Sequence, residues 1–283
     1  MNNEKWIKKA SGERVVFDPE KLRNSLFKAG ASPEVIAQIT KKITAKLTTA
    51  TTTKSIYKQA YALLRQASQK LAGQYKLKTA MLEMGPSGYP FEHFVAKLLT
   101  HQGYQTEVGT HLKGSCLTHE VDIIAERPDE IIIGECKYHS RAGYKSDVKI
   151  PLYVHARFQD LSMGDEMKDS GKKINCAIIS NTRFTSDAEA YAQCYDIQLI
   201  AWDYPDKGSL KQRIALSKHY PITCIHALTK KDKETLMHEG VVSCRQIFEE
   251  ESILNRFDQT KKNRVWSEIQ AICQDEEEEG VNN

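Results

Sequence analysis

Two short apolar stretches open the chain, Trp6-Ile7 and Val15-Val16-Phe17, separated by a polar turn at Ser11-Gly12. With their flanking basic residues, 6–9 and 14–17 read as paired strands. From Asp18 the period changes. Asp18-Pro19-Glu20 offers a capping side chain and a first-turn proline, and Leu22, Leu26 and Ala29 then recur at helical spacing up to Gly30. A second helix starts near Ser32-Pro33-Glu34 and carries Val35, Ile36, Ile39, Ile43 and Leu47. A threonine-rich loop, 48–53, follows. A third helix sets Ile56, Ala60, Leu63, Leu64 and Ala67 on one side, and a fourth covers 75–84.

Gly85-Pro86-Ser87-Gly88-Tyr89-Pro90 is strong punctuation, and the pattern beyond it differs. A helix at 91–102 precedes apolar, strand-like runs at 105–108, 120–125 and 131–137. Further runs at 174–180 and 197–202 flank a helical stretch, 185–194. That order predicts an αβ sandwich on a mixed sheet. After Tyr204-Pro205, helices are expected at 210–216, 225–239 and 244–248, with a last one ending near Cys273. The fold class is therefore α+β or α/β. A mainly helical domain spans 1–84, an αβ domain 85–205 and a helical C-terminal region 206–274. An acidic tail, 275–283, is expected to be disordered.

Composition narrows the class. Hydrophobic residues make up 40% of 283, enough for packed cores. No run of about 18 apolar residues exists and the polar start lacks a secretory signal, so a soluble, cytoplasmic protein without membrane contact is expected. The seven cysteines are scattered and form no CxxC pair, which argues against a zinc ribbon and for reduced, mostly buried thiols. The net charge of +3 hides an asymmetry. Residues 1–80 hold 16 lysines and arginines against 5 acidic residues, an excess of +11 that leaves −8 for the remainder. Such a basic module suits a polyphosphate or a nucleic acid, or is simply a solvated helical surface.

Asp122, Glu135 and Lys137 carry the candidate chemistry. Asp122 lies in His119-Glu120-Val121-Asp122-Ile123-Ile124, and Glu135-Cys136-Lys137 ends the run Ile131-Ile132-Ile133-Gly134. Residues i and i+2 of a strand share a face, so Glu135 and Lys137 point the same way. A hairpin through Arg127-Pro128-Asp129-Glu130 brings Asp122 beside them. Two carboxylates suffice for a hard cation that keeps several waters, and an ammonium beside them can orient a water and steady developing charge. On the preceding helix, Glu92 shares a face with the apolar Val95, Ala96 and Leu99. There it is costly unless it is paired or near a cation, although a first-turn acid also suits the helix dipole. An ExK alone is a weak signal. An Asp-x-apolar strand, a turn and an apolar run ending in ExK, after a Glu-bearing helix, is far more specific.

These residues resemble the core of the PD-(D/E)xK nucleases, in particular the Mrr-type restriction-endonuclease branch, over about residues 88–203. The resemblance implies that Asp122 and Glu135 bind Mg²⁺ or Mn²⁺, that Lys137 assists catalysis and that Glu92 supports the metal site. Val121 stands where the family's name has proline. His139, Arg141, Arg157 and Gln159 are candidate DNA-phosphate contacts, as are Lys145 and Lys149 in a glycine-containing loop.

The N-terminal segment resembles the ATP-cone, a nucleotide-sensing domain known from ribonucleotide reductases and their repressor. The resemblance rests on Ile7-Lys8-Lys9-Ala10-Ser11-Gly12, Val16-Phe17-Asp18, Lys21-Leu22, Ser25-Leu26 and Thr52-Thr53-Lys54-Ser55-Ile56, and covers about residues 4–83. It implies that ATP or dATP binds, with Lys9, Lys21 and Thr53 the chief contacts. Lys8 could add charge there. Ala10-Ser11-Gly12 replaces the usual Arg-Asp-Gly of the hairpin. No GxxxxGK[ST] loop occurs, so sensing rather than hydrolysis is expected. Further on, Leu236-Met237-His238-Glu239-Gly240-Val241 faintly resembles a helix-hairpin-helix, which offers backbone N–H groups to DNA. The expectation is a DNA endonuclease regulated by an adenine nucleotide, compatible with a homodimer or higher homo-oligomer. The alternatives are a catalytically silent, nucleotide-responsive DNA-binding or assembly protein, and an RNA-directed nuclease.

Overall fold

The computed structural model describes residues 4–9 and 11–274, so the predicted acidic tail lies outside the described residues. β1 (Trp6–Lys8) and β2 (Arg14–Val16) pair antiparallel with Ile7 opposite Val15. Four helices follow: α1 (Pro19–Phe27), α2 (Pro33–Ala45), α3 (Thr53–Ala67) and α4 (Gln69–Leu82). Side-chain oxygens cap them where the sequence offers them. Asp18 accepts from the Glu20 N–H at 2.9 Å, and Thr52 from the Ser55 N–H at 3.1 Å. The threonine loop also extends the hairpin: the Lys8 N–H donates to the Thr51 carbonyl at 2.9 Å. Ile7, Leu22, Leu26, Ile39, Ile43 and Leu64 close a core of their own beneath these elements.

The central elements are α5 (Tyr89–His101), β3 (Gln105–Lys113), β4 (Thr118–Glu126), β5 (Glu130–Lys137), β6 (Lys145–Ser146), α6 (Lys149–Ser162), α7 (Asp165–Asp169), β7 (Lys173–Ser180), β8 (Arg183–Phe184), α8 (Ser186–Cys194) and β9 (Gln198–Ile200). Five strands form a mixed sheet in the order β3-β4-β5-β7-β9. β3, β4 and β5 pair antiparallel, whereas β5, β7 and β9 pair parallel. Strand alternation splits the apolar side chains between two faces. Ile132, Cys136, Ala177 and Ile179 pack with Phe91, Phe94 and Leu98 of α5. On the other face, Ile131 and Ile133 pack with Leu161 of α6, and Cys176 and Ile178 with Ala188 and Ala192 of α8.

The C-terminal elements are α9 (Leu210–Ser217), a 3₁₀ turn (Ile222–Cys224), α10 (Lys230–His238), α11 (Cys244–Glu249), a second 3₁₀ turn (Glu251–Arg256) and α12 (Gln259–Cys273). They share the core on the α5 side of the sheet. Thr223 Oγ1 donates to the Ala80 carbonyl at 2.7 Å, and Lys76 Nζ donates to the Thr223 carbonyl at 2.6 Å, fastening α4 to this region. Among the described residues no helix is long and apolar enough to cross a membrane. All seven cysteines are free, and five of them are buried.

Several expectations need correction. α4 starts at Gln69 rather than near 75. It is packed by α3, by α12 and by the 222–224 turn, so its buried residues do not form the single stripe that helical periodicity reveals. The helix expected from 225 starts at Lys230, where Thr229 and Asp232 form a reciprocal cap. Lys149 is the first residue of α6 and not part of a loop. The α10–α11 hairpin is not built to offer its backbone to phosphate. The Gly240 and Val241 N–H groups donate to Met237 and Leu236, those of Val242 and Ser243 to Gln246 Oε1, and that of Cys244 to Tyr220. The pair is a packed helical corner.

Gly164, between α6 and α7, lies against the end of β3. A Cβ there would meet the Lys113 carbonyl oxygen at 2.5 Å and that of Leu161 at 3.1 Å, and both are backbone atoms. Gly164→Ala should therefore lower unfolding stability by roughly 1–3 kcal/mol, read by denaturant titration. An unchanged midpoint would show that the contact yields without cost.

Candidate active site

The site forms where two β-ladders open. β4 and β5 pair from Glu126–Ile131 to Ile123–Gly134 and then part. Beyond that point the Asp122 carboxylate accepts the Cys136 N–H through Oδ2 at 2.7 Å, so a side chain takes over from the ladder. On the other flank, β3 pairs Val108 with Ile123 and Thr110 with Val121, skipping Gly109, which adopts a φ of +65°. That conformation suits glycine, and it falls opposite Asp122.

Glu135 faces α6, and only 4% of its surface is exposed. Lys137 Nζ pairs with its Oε1, and Arg157 Nη2 of α6 pairs with its Oε2. Arg157 also donates through Nη1 to the Glu120 carbonyl at 3.2 Å, and its guanidinium lies 5.6 Å from the centre of the Tyr153 ring. Arg157 is therefore turned inward onto Glu135 rather than outward toward solvent.

The acids press on one another. Burial and then the Glu135 charge push the Asp122 carboxyl up, against the Cys136 N–H, Lys137 and Arg157. Glu92 is pushed up to about 7, first by burial and then by Asp122, Glu135 and Glu120. Its carboxylate folds over the start of α5, where a Cβ on Gly88 would lie 2.8 Å from Glu92 Oε1. Glu92, Asp122, Glu135 and Lys137 thus act on one another within a single cluster. Among the described residues no three His, Cys, Asp or Glu side chains are gathered tightly enough to cage a metal ion. Cations hold both Glu135 oxygens instead. The donor chemistry nevertheless fits a hard divalent ion: two adjacent carboxylates, with an excess of negative charge that such an ion would relieve.

The remaining candidates divide. The His139 N–H donates to Asn181 Oδ1 at 2.8 Å, and its ring lies 3.1 Å from Ser146 Oγ, so His139 joins β5 to β6. Burial lowers its pKa, with Lys137 acting in the same direction. Arg141, Lys145, Lys149 and Gln159 are exposed. Two residues escaped the sequence reading. Asp160 accepts from the Cys116 and Leu117 N–H groups at 2.7 and 3.1 Å and lies 2.7 Å from the His119 ring nitrogen, fixing the β3–β4 turn. The His119 hydrogen bond is the main reason its carboxyl is held down to about 2. Asn181 holds both the N–H and the carbonyl of His139. The i, i+3 spacing of Arg157 and Asp160 on one helix is the signal available for the first of these. Asn181 carried none.

In the N-terminal module, Lys9, Lys21 and Thr53 line one cleft of about 320 Å³ with Phe17, Ile56 and Tyr57. Lys8 is not among its lining residues. Its strand alternates, and Ile7 and Lys9 take the cleft side. Lys9 pairs with Glu13 at 2.9 Å, and Lys21 lies 3.9 Å from Asp18.

Residues 84–204 match the family described as restriction endonuclease, and residues 220–273 match the family described as AF1548-like, C-terminal. An uncharacterized protein of Archaeoglobus fulgidus is 31% identical over 153 residues, covering 54% of this chain and 83% of that protein. The solved structure of AF1548, a protein of unknown function, is 28% identical with a TM-score of 0.54, covering 66% of this chain and 98% of that one. MspJI restriction endonuclease, solved with a 27-mer oligonucleotide, is 13% identical with a TM-score of 0.36, covering 74% of this chain and 44% of that one.

Glu135→Ala should do more than remove a carboxylate. It strands the side chains of Arg157 and Lys137, of which 10% and 31% is exposed. A stability loss of about 3–5 kcal/mol is expected, read by denaturant unfolding. A loss below about 1 kcal/mol, the range of surface pairs, would show that the ion pairs are not formed in solution.

Proposed function

Since the chain belongs to the family of the uncharacterized Archaeoglobus fulgidus protein and holds a restriction endonuclease domain at residues 84–204, we propose that it is a metal-dependent endonuclease acting on DNA, regulated by an adenine nucleotide bound at its N-terminal module. The carrying observation is the convergence of Asp122, Glu135 and Lys137 at the parting of β4 and β5.

Asp122 and Glu135 are the residues that would hold Mg²⁺ or Mn²⁺. When bound, the ion supplies positive charge at the scissile phosphate and acidifies a water. Lys137, beside Glu135, would orient an attacking water and steady charge on the phosphate. Glu92 supports the site from α5, where burial and the neighbouring acids push its carboxyl up to about 7. Arg157 holds Glu135 Oε2, so opening that oxygen requires the guanidinium to move, and a DNA phosphate is a matching partner for it. The exposed Arg141, Lys145, Lys149 and Gln159 are the outward-facing candidates for the DNA backbone, with His139 behind them.

One observation favours a second reading, a DNA-binding or assembly protein whose nuclease core is silent. Glu135 already has both oxygens satisfied by cations. A cleavage assay separates the two. Wild-type protein should cut plasmid DNA with Mg²⁺ or Mn²⁺ and stop in chelator. Asp122→Asn, whose amide oxygen can still accept the Cys136 N–H, should lose at least about a hundred-fold in rate at an unchanged melting temperature. Uncut DNA with either ion, with and without ATP, would leave the silent reading. Preferential cutting of a matched RNA would move the substrate.

The nucleotide reading is supported by the cleft that gathers Lys9, Lys21 and Thr53 beside the aromatic Phe17 and Tyr57. ATP or dATP titrated into the full chain should bind saturably, and Lys9→Ala with Lys21→Ala should weaken it about tenfold or more. Absence of calorimetric binding at millimolar nucleotide would count against it.

A further inference from the structure

A second cleft, of about 710 Å³, lies between the N-terminal module and the edge of the central domain. Lys21 and Lys28 reach it from α1 and the turn after it, Lys78 from α4, Arg183 from β8 and Lys211 from α9. Asp203 is the one carboxylate among these lining residues. Arg183 already holds it, with Nε 3.0 Å from each oxygen. Among the described residues no ion pair joins Lys28, Lys78 or Lys211 to an acid. Trp202 forms an apolar wall, with Lys78 Nζ 6.0 Å from its ring centre. Asn24 and Gln74 add amide donors.

Cations brought together from separate elements repel one another, and a folded chain tolerates this where an anion completes the charge. Lys78 shows the strain. Its ammonium is held below the usual lysine range by loss of surrounding water and then by Arg183, with Lys28 and Lys211 acting in the same direction and Asp203 against. We propose that this cleft is a binding site for an oligophosphate, with Lys28, Lys78 and Lys211 contacting its oxygens. The cleft is continuous with the smaller one through Lys21, Ser25 and Tyr75, which line both. The ligand is thus either the phosphate chain of the nucleotide seated next door or a separate oligophosphate. Only the first source rests on the nucleotide reading above.

The test is calorimetric titration of the full chain with sodium tripolyphosphate, ATP and adenosine. The proteins are wild type, Lys78→Gln/Lys211→Gln and the charge-keeping Lys78→Arg/Lys211→Arg. Melting temperature checks folding, and Lys28→Gln replaces the double variant should that variant melt early. Tripolyphosphate should bind wild type, bind the Arg variant comparably and weaken at least about tenfold with the Gln variant. Competition with ATP identifies the nucleotide's own phosphates as the occupant. Binding to ATP-saturated protein identifies a separate ligand. Either result supports the site. No saturable tripolyphosphate binding, or equal binding by wild type and the Gln variant, overturns it. Failure of the nucleotide reading looks different: adenosine does not bind and ATP binds no more tightly than tripolyphosphate, which still binds in a Lys78-dependent way.

Discussion

The arrangement around the site depends on one buried carboxylate shared between two cations. Glu135 is held on one oxygen by Lys137, two residues on along its own strand, and on the other by Arg157 from α6. A charge so far from water is tolerated only when it is paired, so the triad fixes where α6 lies against β5 and which way each side chain points. Asp122 enters the same cluster by breaking regular structure. Its carboxylate replaces a ladder hydrogen bond at the point where Gly109 interrupts the strand on its other side. The sheet is thus opened at one place, and acidic and basic groups fill the opening.

That opening is tied to the rest of the chain through α4. The Tyr138 hydroxyl, one residue past Lys137, donates to the Leu82 carbonyl at 2.7 Å. Asn181 reaches the Met81 carbonyl at 3.4 Å while holding His139. At its other contacts, the same helix lines both clefts through Tyr75 and anchors the C-terminal region through Ala80. A ligand at the N-terminal module and the strand bearing Lys137 would therefore both bear on α4 and its C-terminal end. This is the physical basis on which nucleotide regulation of the site is proposed.

Much of this was legible beforehand. Strands with strong apolar character, such as Ile131–Lys137 and Ile174–Ser180, announced themselves, as did helices that begin at Asp18-Pro19 and Ser32-Pro33, because burial and capping leave local signatures. The juxtaposition of Asp122 with Glu135 and Lys137 followed from strand periodicity and one short hairpin. The start of α4 was hidden because several neighbours bury it on different sides. The inward turn of Arg157 was hidden for a related reason. Its partner lies 22 residues away, and nothing in α6 itself distinguishes a guanidinium aimed at Glu135 from one aimed at solvent. Asn181 is long-range in the same sense: its contacts to His139 are set by the parallel pairing of β5 with β7.

The central claim is that Asp122 and Glu135 share a divalent cation. Anomalous diffraction from crystals grown with Mn²⁺ tests it most directly. The account predicts a single strong peak between those two carboxylates, with the Arg157 guanidinium withdrawn from Glu135. The same crystals with no peak there and Arg157 still on Glu135 would contradict it.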